Sequence, residues 1–152
     1  MSAGVNVQWL YVLFFYKFIE EYTVSGSAIV VNALKYMLES SSVTTADIEA
    51  YFSNDYIQVV NGNELLFHHF VSHIQVLKDT LINANIDILS IAENGNNVHT
   101  HHRVKVTKKD GANAEFEVFA RFILSEGKIT HCYELTRKIS GDEQDDDLGS
   151  RK

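Results

Sequence analysis

Four β-rich segments joined by tight turns fill the second half of the chain and limit its fold more than any other feature. In order they are IDILSIAENG, NVHTHHRVKVTKKDG, AEFEVFARFILSEG and KITHCYELTRKI, and Asn-Gly, Asp-Gly and Glu-Gly pairs mark the turns between them. Segments connected by such short turns pair with their neighbours as antiparallel hairpins. The sequence therefore predicts a four-stranded antiparallel meander.

The chain ahead of this meander begins with two helical patterns. AIVVNALKYMLESS carries Val30, Leu34 and Met37 on one helical face. SVTTADIEAYF offers Thr44 or Thr45 as the N-cap of a short second helix, with acidic residues following in its first turn. Two helices are therefore predicted before any strand.

One strand and a longer helix connect these helices to the meander. DYIQVVNG predicts a strand that ends at Asn61-Gly62, a pair typical of tight hairpin turns. From Glu64 to Asn83 the helical spacing returns, on a face made of Leu66, Phe70, His73, Leu77 and Leu81. Three helices and a curved antiparallel sheet predict an α+β domain in which the helices cover one face of the sheet.

The first 27 residues are interpreted as an extension outside this domain. WLYVLFFY at 9–16 is apolar or aromatic throughout, but it is much shorter than the roughly 20 residues of a membrane-spanning helix. Residues 1–8 contain no Lys or Arg, whereas a signal peptide carries positive charge there. We therefore expect no membrane span, and we expect Val7 to Tyr22 to form an extra helix packed on the domain or on a second subunit.

Charge and cysteine content limit the partners and the compartment. The net charge is -7, of which the stretch SGDEQDDDLGSRK supplies -3, so residues 1–139 keep -4. A chain without a basic face is a poor ligand for phosphates, and we expect no nucleic acid partner. The single cysteine, Cys132, forms no internal disulfide, which favours the cytoplasm. Residues 140–152 hold few apolar side chains and are predicted to be a disordered acidic tail.

These segments together resemble a known family. The run YFSNDYIQVVNG, the helix FHHFVSHIQVLKDT, the hairpin KVTKKDGANAEFEVFARFILSEGKI and the closing CYELT are similar to the SnoaL-like branch of the nuclear transport factor two-like superfamily. The resemblance covers residues 28–139 and implies a cone-shaped sheet closed by three helices around a central cavity, in a homodimer. Members include ketosteroid isomerases, polyketide cyclases, dehydratases and binding proteins, so the fold leaves the reaction open.

The resemblance also allows one reaction to be tested against the residues. Ketosteroid isomerases use an aspartate base and an oxyanion hole built from a tyrosine and a protonated aspartate. In this chain the resemblance places Val60 at the position of the base and Val118 at the position of the second aspartate. The tyrosine alone has a counterpart, Tyr36. The usual ketosteroid isomerase reaction is therefore not expected.

The stretch NVHTHHRVKV carries three histidines on one predicted strand. Side chains alternate between the two faces of a strand, so the first face holds Val98, Thr100, His102, Val104 and Val106, and the second holds His99, His101, Arg103 and Lys105. The apolar face is expected to point inward, which directs His102 into the cavity. His99 and His101 stand at a spacing that suits a zinc ion, but the two cations beside them oppose it, so we expect no metal there.

The family resemblance supplies the orientation of the other candidate residues. It turns Gln58, Val60 and Glu134 toward the pocket and leaves Asn61 at its rim. His73 occupies a position that lines the cavity in many SnoaL-like sequences; the alternative is a core histidine bonded to a carbonyl. The remaining candidate ligand-binding residues are Tyr36, Phe70, Val118 and Cys132.

The candidate catalytic residues are His102, Glu134 and His73. An imidazole beside a carboxyl group in an apolar chamber makes an acid and base pair suited to moving a proton next to a carbonyl, as isomerases, cyclases and dehydratases do, while Tyr36 or Gln58 stabilises the enolate oxygen. The alternative for His102 and Glu134 is mutual neutralisation of two buried charges.

The noncatalytic alternatives are a module that binds an apolar ligand and a dimerising scaffold whose cavity is filled by its own side chains. The expected partners are a small apolar or carbonyl-containing ligand and a second copy of the chain, held by an outer face that includes Phe119 and Tyr133. No cofactor is expected.

Overall fold

The computed structural model describes residues 24–151, which form three helices and a six-stranded sheet. The helices are α1 (Gly26–Glu39), α2 (Thr45–Tyr51) and α3 (Phe67–Thr80). The strands are β1 (Phe52–Val60), β2 (Asn63–Leu66), β3 (Leu81–Asn94), β4 (Asn97–Lys108), β5 (Asn113–Ser125) and β6 (Lys128–Ser140). The α+β class is confirmed, whereas the predicted helix at Val7 to Tyr22 lies outside the described residues.

Local side-chain chemistry explains where the first two helices begin. The Ser25 side chain accepts a hydrogen bond from the backbone N–H of Ala28 and caps α1. Helix α2 starts after Thr44, whose hydroxyl accepts from Asp47 N–H while the Asp47 carboxylate accepts from Thr44 N–H, a complete capping box. Of the two caps that the sequence offered, the structure uses Thr44.

The sheet is curved and open, with strand order β2-β1-β6-β5-β4-β3. Strands β3 to β6 pair as consecutive antiparallel hairpins, as the turn residues predicted. Strand β1 pairs with β6 in parallel, so the sheet is mixed rather than purely antiparallel. No hairpin joins β1 to β6, and their relative direction therefore does not follow from a turn.

The prediction of a helix from Glu64 was wrong at its start, because the chain first forms β2. Asn61 and Gly62 both have positive φ, as a type I′ turn requires, and this turn pairs Val60 with Asn63 and Ile57 with Leu66. Helix α3 begins only at Phe67 and passes at Leu81 directly into β3. The hairpin leaves Leu65 fully buried and Leu66 largely exposed.

The segment after β6 differs from the disordered tail that composition predicted. A 3₁₀ helix forms at Glu143–Asp145, and Asp145 and Leu148 are both buried. Lys108 at the end of β4 donates to Asp142 and to both carboxylate oxygens of Asp145, at 3.1–3.2 Å. The composition of residues 140–152 does not predict this structure, because the residue that binds their carboxylates, Lys108, belongs to β4 and not to the segment itself.

The core lies between the helices and the inner face of the sheet. Every second residue of β4 and β5 is buried, and α1 and α3 contribute buried residues spaced three and four apart. In the described part of the chain, no helix combines the length and apolar character needed to cross a membrane. This arrangement leaves a hollow inside the core.

Candidate functional site

A cavity of about 120 Å³ lies inside the core, walled by α1, α3, β1, the first residue of β3, β4, β5, β6 and the segment after β6. Most of its wall is aliphatic or aromatic. The side chains with polar atoms on this wall are Tyr56, Gln58, His73, His102, Cys132, Glu134 and Thr136. The cavity therefore offers a few hydrogen-bonding groups in an apolar enclosure, which is the usual composition of a small-molecule site.

His102 stands on the cavity wall, on the face of β4 that alternation predicted to be inner. Its imidazole is buried, and Nδ1 lies 3.0 Å from Thr100 Oγ1. Burial lowers the pKa of His102 to about 4, with a smaller contribution from His101. The ring is therefore neutral at ordinary pH.

The other two histidines of β4 face away from the cavity. His99 is exposed, and the His101 ring stacks on Phe119 with centroids 4.2 Å apart and lies 2.9 Å from the Glu117 carboxylate. Arg137 donates to the same carboxylate. Within residues 24–151, no group of three His, Cys, Asp or Glu side chains is arranged to hold a metal ion.

Glu134 brings a carboxyl group to the cavity from β6. Its Oε1 accepts a hydrogen bond from Thr136 Oγ1 at 3.2 Å, and the Cys132 thiol lies 3.7 Å from Oε2. Burial raises the pKa of Glu134, while hydrogen bonds from Thr136, Gln58 and Cys132 oppose that rise. The balance shifts Glu134 toward its neutral, protonated form.

His102 and Glu134 line one cavity but do not form the ion pair considered from the sequence. No hydrogen bond or ion pair joins them in the described structure, and each has a threonine as its polar neighbour. An ion pair would lower the pKa of the carboxyl group and raise that of the imidazole, and the structure has the reverse of both. The structure therefore contradicts mutual neutralisation, since burial shifts each group separately toward its own neutral form.

His73 reaches the same cavity from α3. Its Nδ1 lies 2.7 Å from the backbone carbonyl oxygen of Arg151, and a carbonyl accepts but cannot donate. Nδ1 therefore carries the proton, which leaves Nε2 as the unprotonated nitrogen. Burial lowers the pKa of His73, and the hydrogen bond to Arg151 opposes that change. His73 therefore makes the hydrogen bond to a carbonyl that is expected of a core histidine, and it also lines the cavity.

Gln58 and Tyr56 approach the cavity from β1, two residues apart and therefore on one face of the strand. Gln58 is 7% exposed, and its Oε1 has no hydrogen-bond partner among the described residues. Tyr56 is 2% exposed, and burial raises the pKa of its phenol well above the usual value. The sequence interpretation selected Gln58 and missed Tyr56, although their shared face could have identified both.

The segment after β6 forms one wall of the cavity, and the sequence interpretation missed it entirely. Leu148 and Gly149 line the cavity, and Leu148 is 4% exposed. Leu148 is the one aliphatic residue with a large side chain between Gly141 and Lys152. A lone large apolar residue within an acidic segment was the available signal, because such a residue gains most from burial.

Three candidate ligand-binding residues are not part of the cavity wall. Tyr36 is 37% exposed and bonds to Asp47, because it precedes Met37 and so falls beside the buried stripe of α1. Asn61 lies in the turn after β1, where its side chain bonds the backbone of Thr136. Val60 is buried, but it is not part of the cavity wall. Phe70, Val118 and Cys132 do line the cavity.

Sequence comparisons find little of known function. No protein-family model matches the chain. An uncharacterised protein of Schizosaccharomyces pombe is 29% identical over 109 residues, which span 72% of this chain and 84% of that protein. Sequence similarity therefore assigns no activity to the chain.

Structure comparisons find the same architecture in several bacterial proteins. AclR, a candidate hydroxylase from Streptomyces galilaeus, matches with a TM-score of 0.64 at 13% identity, over 83% of this chain and 82% of its own. Wild-type IdmH, a candidate polyketide cyclase from Streptomyces antibioticus, matches with a TM-score of 0.63 at 11% identity, over 74% and 92%. A candidate SnoaL-like polyketide cyclase from Jannaschia gives 0.57 at 11% identity, over 71% and 85%.

Likeness at these identities shows the fold and not the reaction. The matched proteins share the curved sheet and the covering helices, while the functions suggested for them differ. The chain has the same fold as the SnoaL-like and NTF2-like proteins whose structures it matches.

Proposed function

We propose that the protein binds a small, neutral, largely apolar carbonyl compound in this cavity and transfers a proton at the carbon next to the carbonyl, with Glu134 as acid and His73 as base. The observation that carries the proposal is that Glu134 and His73 line one apolar cavity, with the tautomer of His73 fixed by the Arg151 carbonyl. Burial raises the pKa of Glu134 and lowers that of His73. A protonated acid and an unprotonated base can then face one ligand without either group being charged.

His73 is a better base than His102 for two reasons. The Arg151 carbonyl fixes its tautomer, so Nε2 is the nitrogen that accepts a proton. That hydrogen bond also counteracts the effect of burial on the pKa of His73, whereas the pKa of His102 falls to about 4. A base with a pKa far below neutrality removes a carbon-bound proton slowly. His102 then serves as a neutral part of the wall.

The proposed step is balanced within the cavity. His73 Nε2 takes the proton as the carbon–hydrogen bond breaks, and the Glu134 hydroxyl gives its proton to the carbonyl oxygen as the enol forms. This transfer leaves His73 as an imidazolium and Glu134 as a carboxylate. Return of the proton from His73 to the same carbon, with Glu134 recovering its own from the oxygen, completes an exchange and restores both groups; with an unsaturated ligand, return to the γ carbon of the conjugated dienol completes an isomerisation. No ligand atom needs to carry a full charge in this low-dielectric enclosure.

Cyclohexanone in D₂O tests the proposal, because the neutral ring ketone is compact and its exchanging protons are visible by NMR. We expect exchange next to the carbonyl above the buffer rate. Glu134→Gln and His73→Gln should each lower that rate by about 10²-fold or more, the usual contribution of a general acid or base. His102→Gln should lower it much less.

His99→Gln is the matched control, since His99 is exposed on the opposite face of β4. Its rate should equal that of the unchanged protein. Full exchange in both Glu134→Gln and His73→Gln would contradict the proton-transfer proposal. Saturable cyclohexanone binding with no exchange would identify instead a noncatalytic binding module.

A second copy of the chain is the partner that we propose for the outer face of the sheet. Phe119, Tyr133 and Leu135 are 53%, 40% and 68% exposed there, and Phe119 pairs directly with Leu135 across β5 and β6. Adjacent apolar side chains of this size rarely remain uncovered in a soluble monomer. The same surface favours a dimerising scaffold as the alternative function if the cavity binds nothing.

Leu135→Glu is expected to convert the dimer to a monomer, because each copy would bury a carboxylate in an apolar interface. Light scattering during size-exclusion chromatography gives the mass directly. Ile82→Glu is the control, since Ile82 is 67% exposed at the start of β3. A monomeric mass for the unchanged protein at high concentration would contradict the proposed partner.

A further inference from the structure

We propose that the carbonyl compound held in this cavity is compact and also carries a hydroxyl group, and that the hydroxyl donates a hydrogen bond to Oε1 of Gln58. The inference rests on the proposed function in one respect, because it names the chemical class that the same cavity would hold. It follows from different observations, namely an unpaired buried oxygen and the size of the enclosure.

Gln58 presents the unpaired acceptor. Its side chain lines the cavity and is 7% exposed, and its amide makes a hydrogen bond with Glu134. Oε1 is buried without a partner among residues 24–151, so the bond to Glu134 uses the amide nitrogen. A buried acceptor that loses its bond to water costs free energy unless a donor replaces that bond. A ligand that supplies the donor is therefore favoured over one that lacks it.

The other polar groups on the wall already have partners in the protein. His102 faces the Thr100 hydroxyl, His73 donates to the Arg151 carbonyl, and Glu134 accepts from Thr136. Each of these bonds uses one polar atom of its side chain, whereas Gln58 Oε1 is the buried side-chain oxygen that has no partner among residues 24–151. A bound ligand is therefore expected to place a hydrogen-bond donor beside Oε1 of Gln58, near the C-terminal end of β1.

A hydroxyl group fits this acceptor better than an ammonium group. A charged donor would enter an apolar cavity without a carboxylate that readily ionises beside it, since burial raises the pKa of Glu134. An unpaired buried charge costs far more than a neutral polar group. An alcohol, a phenol or an enol carries the donor without that cost.

The size of the enclosure limits the rest of the ligand. Its volume is about 120 Å³. An engineered protein cavity of about 150 Å³ admits benzene, so a single small ring is the appropriate scale. Leu148 closes one wall and is buried against the cavity. A fused two-ring molecule would have to displace it.

Phenol and toluene form the first test, because they match in shape and differ in the hydroxyl group. A cavity without a free acceptor prefers toluene, since burying an unpaired hydroxyl is unfavourable. We expect the unchanged protein to bind phenol more tightly than toluene, as measured by calorimetry. In Gln58→Leu the preference should reverse, with the ratio of the two Kd values changing by about tenfold or more. Gln58→Met repeats the test with an unbranched side chain if the leucine variant does not fold.

The outcomes separate this inference from the proposed function. Val59→Leu, at the next position of β1 with its side chain on the opposite face of the strand, should leave the ratio unchanged. Tighter binding of toluene by the unchanged protein would overturn the hydroxyl inference and leave ligand binding in the cavity intact. Binding of neither compound would overturn the hydroxyl inference, and the exchange of cyclohexanone by the same protein would then decide the proposed function separately.

A second comparison tests the role of Leu148. The unchanged protein should bind 2-naphthol at least tenfold more weakly than phenol, and Leu148→Ala should remove most of that difference by opening the wall. Leu135→Ala, on the outer face, is the matched control and should keep the selectivity. Equal binding of 2-naphthol and phenol by the unchanged protein would overturn the size limit.

Discussion

Phe70→Ala is expected to lower the free energy of unfolding by about 3–5 kcal/mol, the usual cost of removing a buried aromatic ring. The Phe70 ring lies 4.8 Å from the ring of Phe52 and 4.8 Å from that of Tyr56, and those two rings lie 4.8 Å from each other. All three side chains are buried and all three line the cavity. The loss combines fewer apolar contacts with a larger void, because neighbours at the edge of an existing cavity fill the gap only partly.

Urea unfolding monitored by circular dichroism measures this change. Phe119→Ala is the matched control, because Phe119 is 53% exposed and its ring lies on the outer face of the sheet. We expect its cost to be below about 1 kcal/mol for the monomer, within the range for surface substitutions. A cost for Phe70→Ala no larger than that of the control would contradict the packed aromatic cluster. It would also remove the rigid wall on which the cavity depends.

Alternation along the strands made the inner face of the sheet predictable from the sequence. The apolar residues of β4 lie at every second position in step with His102, so they share one face of the strand with it. Burial of that face requires His102 to point inward, and His102 is buried. The position of Glu134 was harder, because β6 carries apolar residues on both faces. There the family resemblance decided the orientation, and the structure places Glu134 on the cavity wall.

The parts of the site that sequence reasoning missed depend on contacts between distant segments. The carbonyl that fixes the tautomer of His73 belongs to Arg151, 78 positions along the chain. The segment that includes Arg151 is held by the ion pair between Lys108 and Asp145. Nothing in the sequence around either residue predicts that the two residues pair. Local pattern cannot find such pairs, since their spacing follows no helical or strand period.

The placement of Tyr36 marks a second limit. Transfer of a family position onto this chain put the side chain in the cavity, yet the buried stripe of α1 runs through Val30, Ala33 and Met37. A helical turn of about 100° per residue leaves the position before Met37 at the side of that stripe. The apolar spacing within the chain was therefore a better guide to orientation than the transferred position.

Acidification is expected to destabilise the protein through His102. Its pKa is about 4 in the fold and 6.5 in a solvated chain, because burial disfavours the charged ring. As the pH falls below 6.5, the unfolded chain takes up a proton that the folded chain accepts only near pH 4. The contribution of His102 to the free energy of unfolding is therefore fully present above pH 6.5 and is lost progressively as the pH falls toward 4. At about pH 5 the loss amounts to about 2 kcal/mol. His73 acts in the same direction, since burial lowers its pKa as well.

His102→Gln isolates this contribution, because glutamine keeps a polar side chain beside Thr100 and does not titrate. Other groups also lose stability in acid, among them Asp47 and Glu117, whose pKa values are lowered by hydrogen bonds. The informative quantity is therefore the difference between protein and variant, measured by urea unfolding at two pH values. Between about pH 7.5 and pH 5 the variant should lose about 2 kcal/mol less than the unchanged protein. His99→Gln, with its side chain in solvent, should lose as much as the unchanged protein does. Equal losses in all three proteins would show that the His102 ring is hydrated, and a hydrated ring cannot belong to the closed apolar wall on which the proposed chemistry depends.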